Sequence, residues 1–537
     1  MTDPRLATSL SNGLRLLEAF TAEPQGVSNA DLARRSGLSR PSVSRLTTTL
    51  ATRGLVTFDP QTRRYRLGPT ALTIAYPLLV NLGVRRRARL PMKQLSDELG
   101  ATISLGIADR TRMVYVETLR GNDPVAFQPD IGAPVPMLQS AMGRAWLVSA
   151  AAGDRDRTMA AIRAAAPAHY RRWATSLASA RADLERHGFT LSRRDWQPDI
   201  DAVAVPLALS PNGDRLVLNC GLAARRLRGD DLVRRIGPRL LALAQQLEAG
   251  GEDPSEDPSA WPAEAVVATE SRRGRRDGDW ADRNFARTLA RGIDLLLAFR
   301  PVEREVGNRE LARRLGLSPQ TVVRLTHTLR TEGYLNQDPQ TSRYRLGPAI
   351  LSAAYPMLSS LSVRRLARPA MTALSDRIGG AVSLGLRHGS GMIYVETAWQ
   401  PDGRLLPPDI GAPMPMLATA MGRAWLARAT AHDRAAVLNR IRLGDPDAHA
   451  RLAGAARRSI AAFGQRGYCT SRDFRPEIEA IAVPFTRVIG TVRFVLNCGV
   501  LAPRPLSDRR AAAIGAALMD AVRAIEARLS ADQGLAA

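Results

Sequence analysis

DLARRSGLSRPSVSRLTTTLATRGLVTFDPQTRRYRLGP, residues 31–69, decides the fold. Up to Leu50 its apolar residues recur at helical spacing, and beyond it two short β-rich runs flank the turn Asp59-Pro60-Gln61-Thr62. Ser28, just upstream, caps a short helix through Ala30, Leu32 and Ala33 that ends at Gly37, a residue suited to a left-handed C-cap. After a three-residue turn Ser39 caps a second helix. Val43, Leu46, Thr47 and Leu50 share one of its faces, and Ser44, Arg45, Thr48 and Thr52 the other. A preceding stretch, 9–24, carries Leu10, Leu14, Leu17 and Phe20 at helical spacing. Helix, glycine-containing turn, helix with a hydroxyl-rich outer face, then a hairpin together make a winged helix-turn-helix.

That face has the chemistry of a base reader. Arginine reads guanine in the major groove, and hydroxyls or amides read other edges, so Arg40, Ser42, Ser44, Arg45 and Thr48 are the expected base and backbone contacts. Arg63, Arg64 and Arg66 beside the wing turn are placed for phosphate or the minor groove.

The same pattern occurs again 279 residues later. ELARRLGLSPQTVVRLTHTLRTEGYL (310–335) lies over 31–56, DPQTSRYRLGP (338–348) over 59–69, MIYVET (392–397) over MVYVET (113–118), and PDIGAPMPMLATAMGRAWL (408–426) over 129–147. One residue is then lost, and at an offset of 278 AIAVP (480–484) meets AVAVP (202–206) and VLNCG recurs at 495–499 over 217–221. Correspondence over a whole copy implies duplication of a multidomain unit, because solenoid repeats run only about 20–50 residues. The second reader presents Gln320, Thr321, Val323, Arg324 and His327, with Arg343 on its wing. Only the central arginine is kept, so the two readers are expected to prefer different half-sites.

Composition supports this reading without choosing it. The 537 residues carry a net charge of +24, with 45% hydrophobic and 23% charged residues, a globular balance favouring an anionic partner. Lys93 is the only lysine among 75 basic residues, so a single arginine is no site merely for being arginine. Cys220, Cys469 and Cys498 have no CxxC spacing, so neither a zinc cluster nor a disulfide framework is supported, and a reducing cytoplasm fits best. The stretch MTDPRLATSL lacks a signal-peptide pattern and no run of about 18 apolar residues occurs, so a soluble, cytoplasmic protein without a membrane partner is expected. Residues 249–283, rich in Gly, Pro and charge, read as a flexible linker whose run Arg272 to Arg276 is either a phosphate contact or a solvated tether.

Past each wing the pattern changes. Leu72, Ile74, Ala75, Leu78 and Leu79 form an apolar connecting helix. TISLGIAD and RMVYVETL form a strand pair, a Pro-rich loop at 129–138 leads into a helix from about Ser140, and AVAVPLAL and RLVLNCGL form another pair before a final helix at roughly 230–248. Such interleaving implies an antiparallel sheet with helices packed on it.

The reader, the RYRLGP exit and the ordered motifs beyond it resemble the IclR family of bacterial regulators over nearly the whole of each copy. AYPLL (75–79), SAMGRAWL (140–147) and IDAVAVP (200–206) are similar to the branch controlling aromatic-acid catabolism, the protocatechuate, 4-hydroxybenzoate and β-ketoadipate routes. The resemblance implies a fold of class α+β. Its parts are winged helix-turn-helix domains at 6–69 and 284–348, connecting helices at 70–90 and 349–369, and α/β effector-binding domains with an antiparallel sheet at 91–248 and 370–531. It also implies a cup for a small organic acid, faced by Ser104, Met137, Ser140, Arg144, Asn219 and Cys220 in copy one and by Ser383, Met416, Thr419, Arg423, Asn497 and Cys498 in copy two. Hydroxyl, amide and guanidinium donors suit such an acid. Cys220 and Cys498 have the competing reading of small core residues, and Arg144 and Arg423 that of solvent-facing cations.

No catalytic residues, cofactor or metal are expected. GxSxG, Walker, HExxH and strand-linked GxGxxG patterns are missing, and the six histidines form no ligand cluster. The expected partners are a double-stranded DNA operator and the acid effector, with the two copies forming an intrachain pseudo-dimer and homodimerisation a further step. The competing reading is a metabolite sensor or enzyme whose DNA-reading modules are vestigial. Loss of Arg45, Arg324 or the wings would favour it, and all are present.

Overall fold

The computed structural model describes residues 3–20, 26–121, 129–210, 213–250, 285–301, 303–400 and 408–534. The tether expected at 249–283, with its basic run, lies almost wholly outside them.

Copy one opens with α1 (Thr8–Glu18), α2 (Asn29–Ser36) and α3 (Arg40–Thr52), followed by a hairpin of β1 (Val56–Asp59) and β2 (Arg64–Leu67). Local chemistry sets each boundary. The Ser28 hydroxyl accepts from the Asp31 amide at 3.2 Å, the Ser39 hydroxyl from the Ser42 amide at 3.4 Å, and Gly37 closes α2 at φ 68°. At the wing turn the Asp59 carboxylate accepts from the amides of Gln61 (3.0 Å) and Thr62 (3.4 Å), and Arg63 takes φ 53°. These bonds to the ionised form hold the Asp59 carboxyl below its ordinary range, the Thr62 side chain contributing most. Tyr65 exchanges two backbone bonds with Val27, both 2.8 Å, tying the wing to the entry of α2.

Helices α4 (Thr70–Asn81) and α5 (Gly83–Leu99) lead to a six-stranded sheet. Its members are β3 (Thr102–Asp109), β4 (Arg112–Arg120), β5 (Pro134–Pro136), β6 (Thr190–Arg193), β7 (Ile200–Leu209) and β8 (Arg215–Ala223). The order is β5-β4-β3-β8-β7-β6, antiparallel throughout. Between β5 and β6 come α6 (Ala141–Ser149), α7 (Ala152–Ala165), α8 (Pro167–Trp173) and α9 (Ser176–His187), and α10 (Gly237–Ala249) ends the copy. Strand alternation divides the sheet into two faces. Ser104, paired with Asn219, and Gly106, paired with Val217, share the face covered by α6; Ile103, paired with Cys220, and Leu105, paired with Glu117, share the face covered by α5. On the α6 side a core gathers Met113, Tyr115, Val135, Met137, Met142 and Val217.

Copy two repeats the plan with α11 (Arg287–Leu297), α12 (Asn308–Leu315), α13 (Pro319–Thr331), β9 (Leu335–Gln337), β10 (Tyr344–Leu346), α14 (Ala349–Ser359) and α15 (Ser362–Ile378). Its sheet, in the order β13-β12-β11-β16-β15-β14, consists of β11 (Ala381–His388), β12 (Gly391–Ala398), β13 (Pro413–Pro415), β14 (Cys469–Ser471), β15 (Ile478–Pro484) and β16 (Phe494–Leu501). The helices are α16 (Ala420–Arg428), α17 (Ala431–Gly444), α18 (Pro446–Arg466) and α19 (Asp508–Gly534). The residue that copy two lacks sits at Arg194, which copy one accommodates at φ 62°, in left-handed backbone just after β6.

Packing sorts these elements into two compact units, and neither unit is a sequence copy. One unit combines α1, α5 to α10 and β3 to β8 of copy one with α12, α13, β9 and β10 of copy two. The other combines α2, α3, β1 and β2 of copy one with α15 to α19 and β11 to β16 of copy two. The division crosses α4 between Tyr76 and Pro77, α11 between Ala290 and Arg291, and α14 between Pro356 and Met357. Each unit therefore holds the helix-turn-helix of one copy and the sheet domain of the other.

Candidate nucleic-acid interface and ligand cup

The recognition faces lie open. Arg40, Ser44, Arg45 and Thr48 are exposed on α3, while Val43, Leu46, Thr47 and Leu50 are buried on the other side, as the spacing predicts. Neither the Arg40 nor the Arg45 guanidinium makes a hydrogen bond or ion pair among the described residues, so both are available to an external acceptor. Ser42 is half-buried and accepts from the Ser39 hydroxyl at 2.9 Å, and the Thr48 hydroxyl donates to the Ser44 carbonyl at 2.9 Å. On α13 Gln320 and Arg324 are exposed; Thr321 is half-buried and bonds Ser318 at 2.8 Å. Arg324 donates to the Leu6 carbonyl at 3.3 Å and His327 meets the Asp3 carboxylate at 3.0 Å, both in the segment before α1.

The wings divide their arginines between structure and solvent. Arg63 projects at the tip without an internal partner among the described residues, and its equivalent in copy two is Ser342 at φ 56°. Arg64 donates to the Gly26 carbonyl at 2.9 Å and Arg343 to the Glu305 carbonyl at 2.9 Å, bracing each wing against the entry of its helix-turn-helix. Arg66 is half-buried on β2.

On the α6 face of the first sheet, Ser104 is fully buried and Asn219 is 8% exposed. Beside them is Thr118, which pairs with Ser104 across β3 and β4 and which the sequence reading missed. The hydroxyls of Ser104 and Thr118 find no partner among the described residues, and an unpaired buried hydroxyl is costly unless a ligand or water meets it. In copy two the equivalent Ser383 and Thr397 bond each other at 3.2 Å, next to Asn497. Met137 and Met416 are buried at the loop before α6 and α16.

Ser140 and Thr419 act locally as N-caps. The Ser140 hydroxyl accepts from the Gly143 amide at 3.0 Å and donates to the Pro136 carbonyl at 2.8 Å; Thr419 does the same with Gly422 and Pro415. Arg144 is 5% exposed, so its solvent-facing alternative does not hold. Its guanidinium is engaged by the carbonyls of Leu138 (2.8 Å) and Leu191 (3.2 Å) and by Asp195 (2.7 Å). Arg423 repeats this with Leu417, Thr470 and Asp473. The recurrence of Asp195 and Asp473 after the sixth strand of each copy was the available signal for this pairing.

Asn219 and Cys220 cannot both face the cup, because neighbours on a strand point to opposite sides. Cys220 pairs with Ile103 on the α5 side, and Cys498 with Val382. Burial pushes the Cys220 thiol well above its ordinary value and Cys498 up to about 12, which suits inert core residues. The α5 face holds a charge cluster instead: the buried Glu117 carboxylate accepts from Arg89 at 2.6 Å and pairs with Arg85 at 3.0 Å, while Arg85 donates to the carbonyls of Val116 (2.8 Å) and Leu79 (3.3 Å). Glu396, Arg364 and Arg368 rebuild it in copy two. Among the described residues no helix is long and apolar enough to cross a membrane.

These features define a class: a duplicated winged helix-turn-helix protein, each reader followed in the chain by an α+β sheet domain with a polar cluster under its first crossing helix. The family model of the IclR helix-turn-helix domain matches residues 9–60 and 288–339, and that of the bacterial transcriptional regulator IclR C-terminal domain matches 77–249 and 355–527. The chain belongs to the IclR family of transcriptional regulators and carries the family's two-domain unit twice. It is 28% identical to the HTH-type transcriptional regulator TsaQ1/TsaQ2 of Comamonas testosteroni over 45% of this chain and 88% of that one. To the Pca regulon regulatory protein of Pseudomonas putida it is 28% identical over 46% and 84%. Among solved structures, an IclR family transcriptional regulator from Brucella abortus is 33% identical, covering 46% of this chain and 94% of its own, with a TM-score of 0.43. An IclR homolog from Microbacterium hydrocarbonoxydans complexed with 4-hydroxybenzoate is 22% identical over 45% and 99%, with a TM-score of 0.37.

Proposed function

We propose that the chain is a cytoplasmic regulator that grips paired half-sites of an operator with its two readers and whose operator affinity is set by a small organic acid, aromatic or keto in type. The observation that carries the DNA half is the exposure of Arg45 and Arg324 on outward faces of capped helices, each beside a wing. Arg40, Ser42, Ser44, Thr48, Arg63 and Arg64, with Gln320, Thr321, His327 and Arg343, complete the two surfaces. One chain then serves as its own pseudo-dimer, because covalent linkage of the two readers raises the effective concentration of the second once the first has bound. The ligand half is supported by the unpaired hydroxyls of Ser104 and Thr118 beside Asn219, and by a relative named for the Pca regulon.

Electrophoretic mobility shift with the chain's own upstream DNA tests the readers. Arg45→Ala and Arg324→Ala should each weaken binding by roughly 5- to 150-fold, the worth of about 1–3 kcal/mol for a guanine contact. A double variant that binds like the parent refutes the assignment. Thermal shift against aromatic acids and their ring-cleavage products tests the cups, since a ligand selective for the fold raises its melting temperature. A response confined to another metabolite class refutes the acid.

A further inference from the structure

We propose that regulation runs in trans between the copies: the cup of copy one governs the reader of copy two, and the cup of copy two governs the reader of copy one. This rests on the reading of the chain as a ligand-modulated DNA binder, and it follows from what each unit contains.

In the first unit the tip of the β3–β4 hairpin and the loop before α6, both from copy one, meet the helix that leaves the wing of copy two. The Ser352 hydroxyl on α14 donates to the Asp109 carboxylate at 2.6 Å, and Asp109 is 1% exposed. Arg110, next along, pairs with Glu18 of α1 at 2.9 Å and lies against Gly333, just before β9. Gly132 in the loop takes φ 86°; a Cβ there would lie 2.6 Å from the Leu351 carbonyl oxygen and 3.0 Å from Tyr355 Cβ. Tyr355 itself packs against the cup core of Met113, Tyr115 and Val135. The loop that would respond to a ligand therefore has no slack against α14, and a shift of either displaces the other.

The second unit repeats the arrangement with different chemistry. His388 at the β11–β12 tip bonds Thr70 at 3.0 Å and Thr73 at 3.5 Å on α4, and Gly411, at φ 83°, would place a Cβ 2.9 Å from the Leu72 carbonyl oxygen. Each sheet domain also touches the end of its own copy's connecting helix, where Arg85 meets Leu79 and Arg364 meets Leu358, but from the α5 or α15 side, away from the cup. The cup side addresses the other copy.

The test is a footprint of the full chain on its own upstream DNA. Arg45→Ala and Arg324→Ala first assign each protected half-site to a reader. Gly132→Ala should then change protection about threefold or more at the Arg324 half-site alone, and Gly411→Ala at the Arg45 half-site alone. Should either alanine variant lose its native circular dichroism, Asp109→Asn and His388→Gln replace them and are scored the same way. An effect on the reader of the same copy, on both halves equally, or on neither overturns the wiring. If neither arginine variant alters any protection, the recognition-helix reading falls and the wiring with it; if both arginine variants act and the sensor variants act in cis, only the wiring falls.

Discussion

Replacing Glu117 by alanine is a severe test of how the connecting helix is held. Its carboxylate is buried, 2.6 Å from Arg89 and 3.0 Å from Arg85, and Arg85 has no exposed side-chain surface. Removing the anion leaves two guanidiniums in the interior. Breaking a buried pair in this way costs about 3–5 kcal/mol, more than the pair contributes over an apolar replacement, because the desolvation of the remaining charge is no longer offset. Two bonds from Arg85, to Val116 and Leu79, survive and keep part of the cluster in place, so the expected loss is about 3 kcal/mol. Hydrogen exchange of the full chain localises it: amides of β3 and β4 should lose protection by roughly 100-fold, since about 1.4 kcal/mol is tenfold, while β11 and β12 supply an internal control. Glu396→Ala should reverse the pattern, and Glu117→Gln, which keeps an acceptor oxygen, should cost less than Glu117→Ala. A Glu117→Ala loss under about 1 kcal/mol would show that water reaches the two arginines and that the cluster fixes nothing.

Two other outcomes follow from the same geometry. Arg144→Ala strands the Leu138 and Leu191 carbonyls and the Asp195 carboxylate, and should cost about 2–3 kcal/mol in urea denaturation with no ligand present; a variant as stable as the parent would return Arg144 to the ligand. Burial, and secondarily Arg387, lowers His388 from 6.5 to about 4. The depressed value means the neutral ring's contribution is complete above pH 6.5 and is lost as pH falls toward about 4. Between pH 7 and pH 5 the chain should lose about 1–2 kcal/mol through this group. His388→Gln should flatten that part of the pH–stability curve, and an unchanged slope would contradict a ring that desolvation holds neutral.

The readers were legible because their signals are local: a cap hydroxyl at Ser28 or Ser39, a left-handed residue at Gly37 and an Asx turn at Asp59 each act within a few residues. The sheet was legible from alternation, yet alternation was not applied to Asn219 and Cys220, which the register places on opposite faces. Thr118 escaped although it ends the recurring MVYVET run, because its partner across the sheet, Ser104, is 14 residues away and only the register brings the two hydroxyls together. The internal acceptors of Arg144, Leu191 and Asp195, could not be read from the sequence because they lie some 50 residues on and become neighbours only through the sheet.

The exchange of readers between units could not be read at all, and the repeat itself is the reason. Where two copies present nearly the same wing exit, RYRLGP, and the same loop, PDIGAP, either connecting helix can satisfy either loop, and one sequence carries no record of which does. What does differ lies at the contacts: Asp109 against His388, Ser352 against Thr73, Glu18 against Leu297. An acid that binds a hydroxyl and a neighbouring cation in one unit has become a neutral ring between two threonines in the other, so each junction now tolerates a different neighbour. A swap of Asp109 and His388 tests whether that divergence is functional, because each side chain would then face acceptors and donors arranged for the other, and both trans contacts should weaken together.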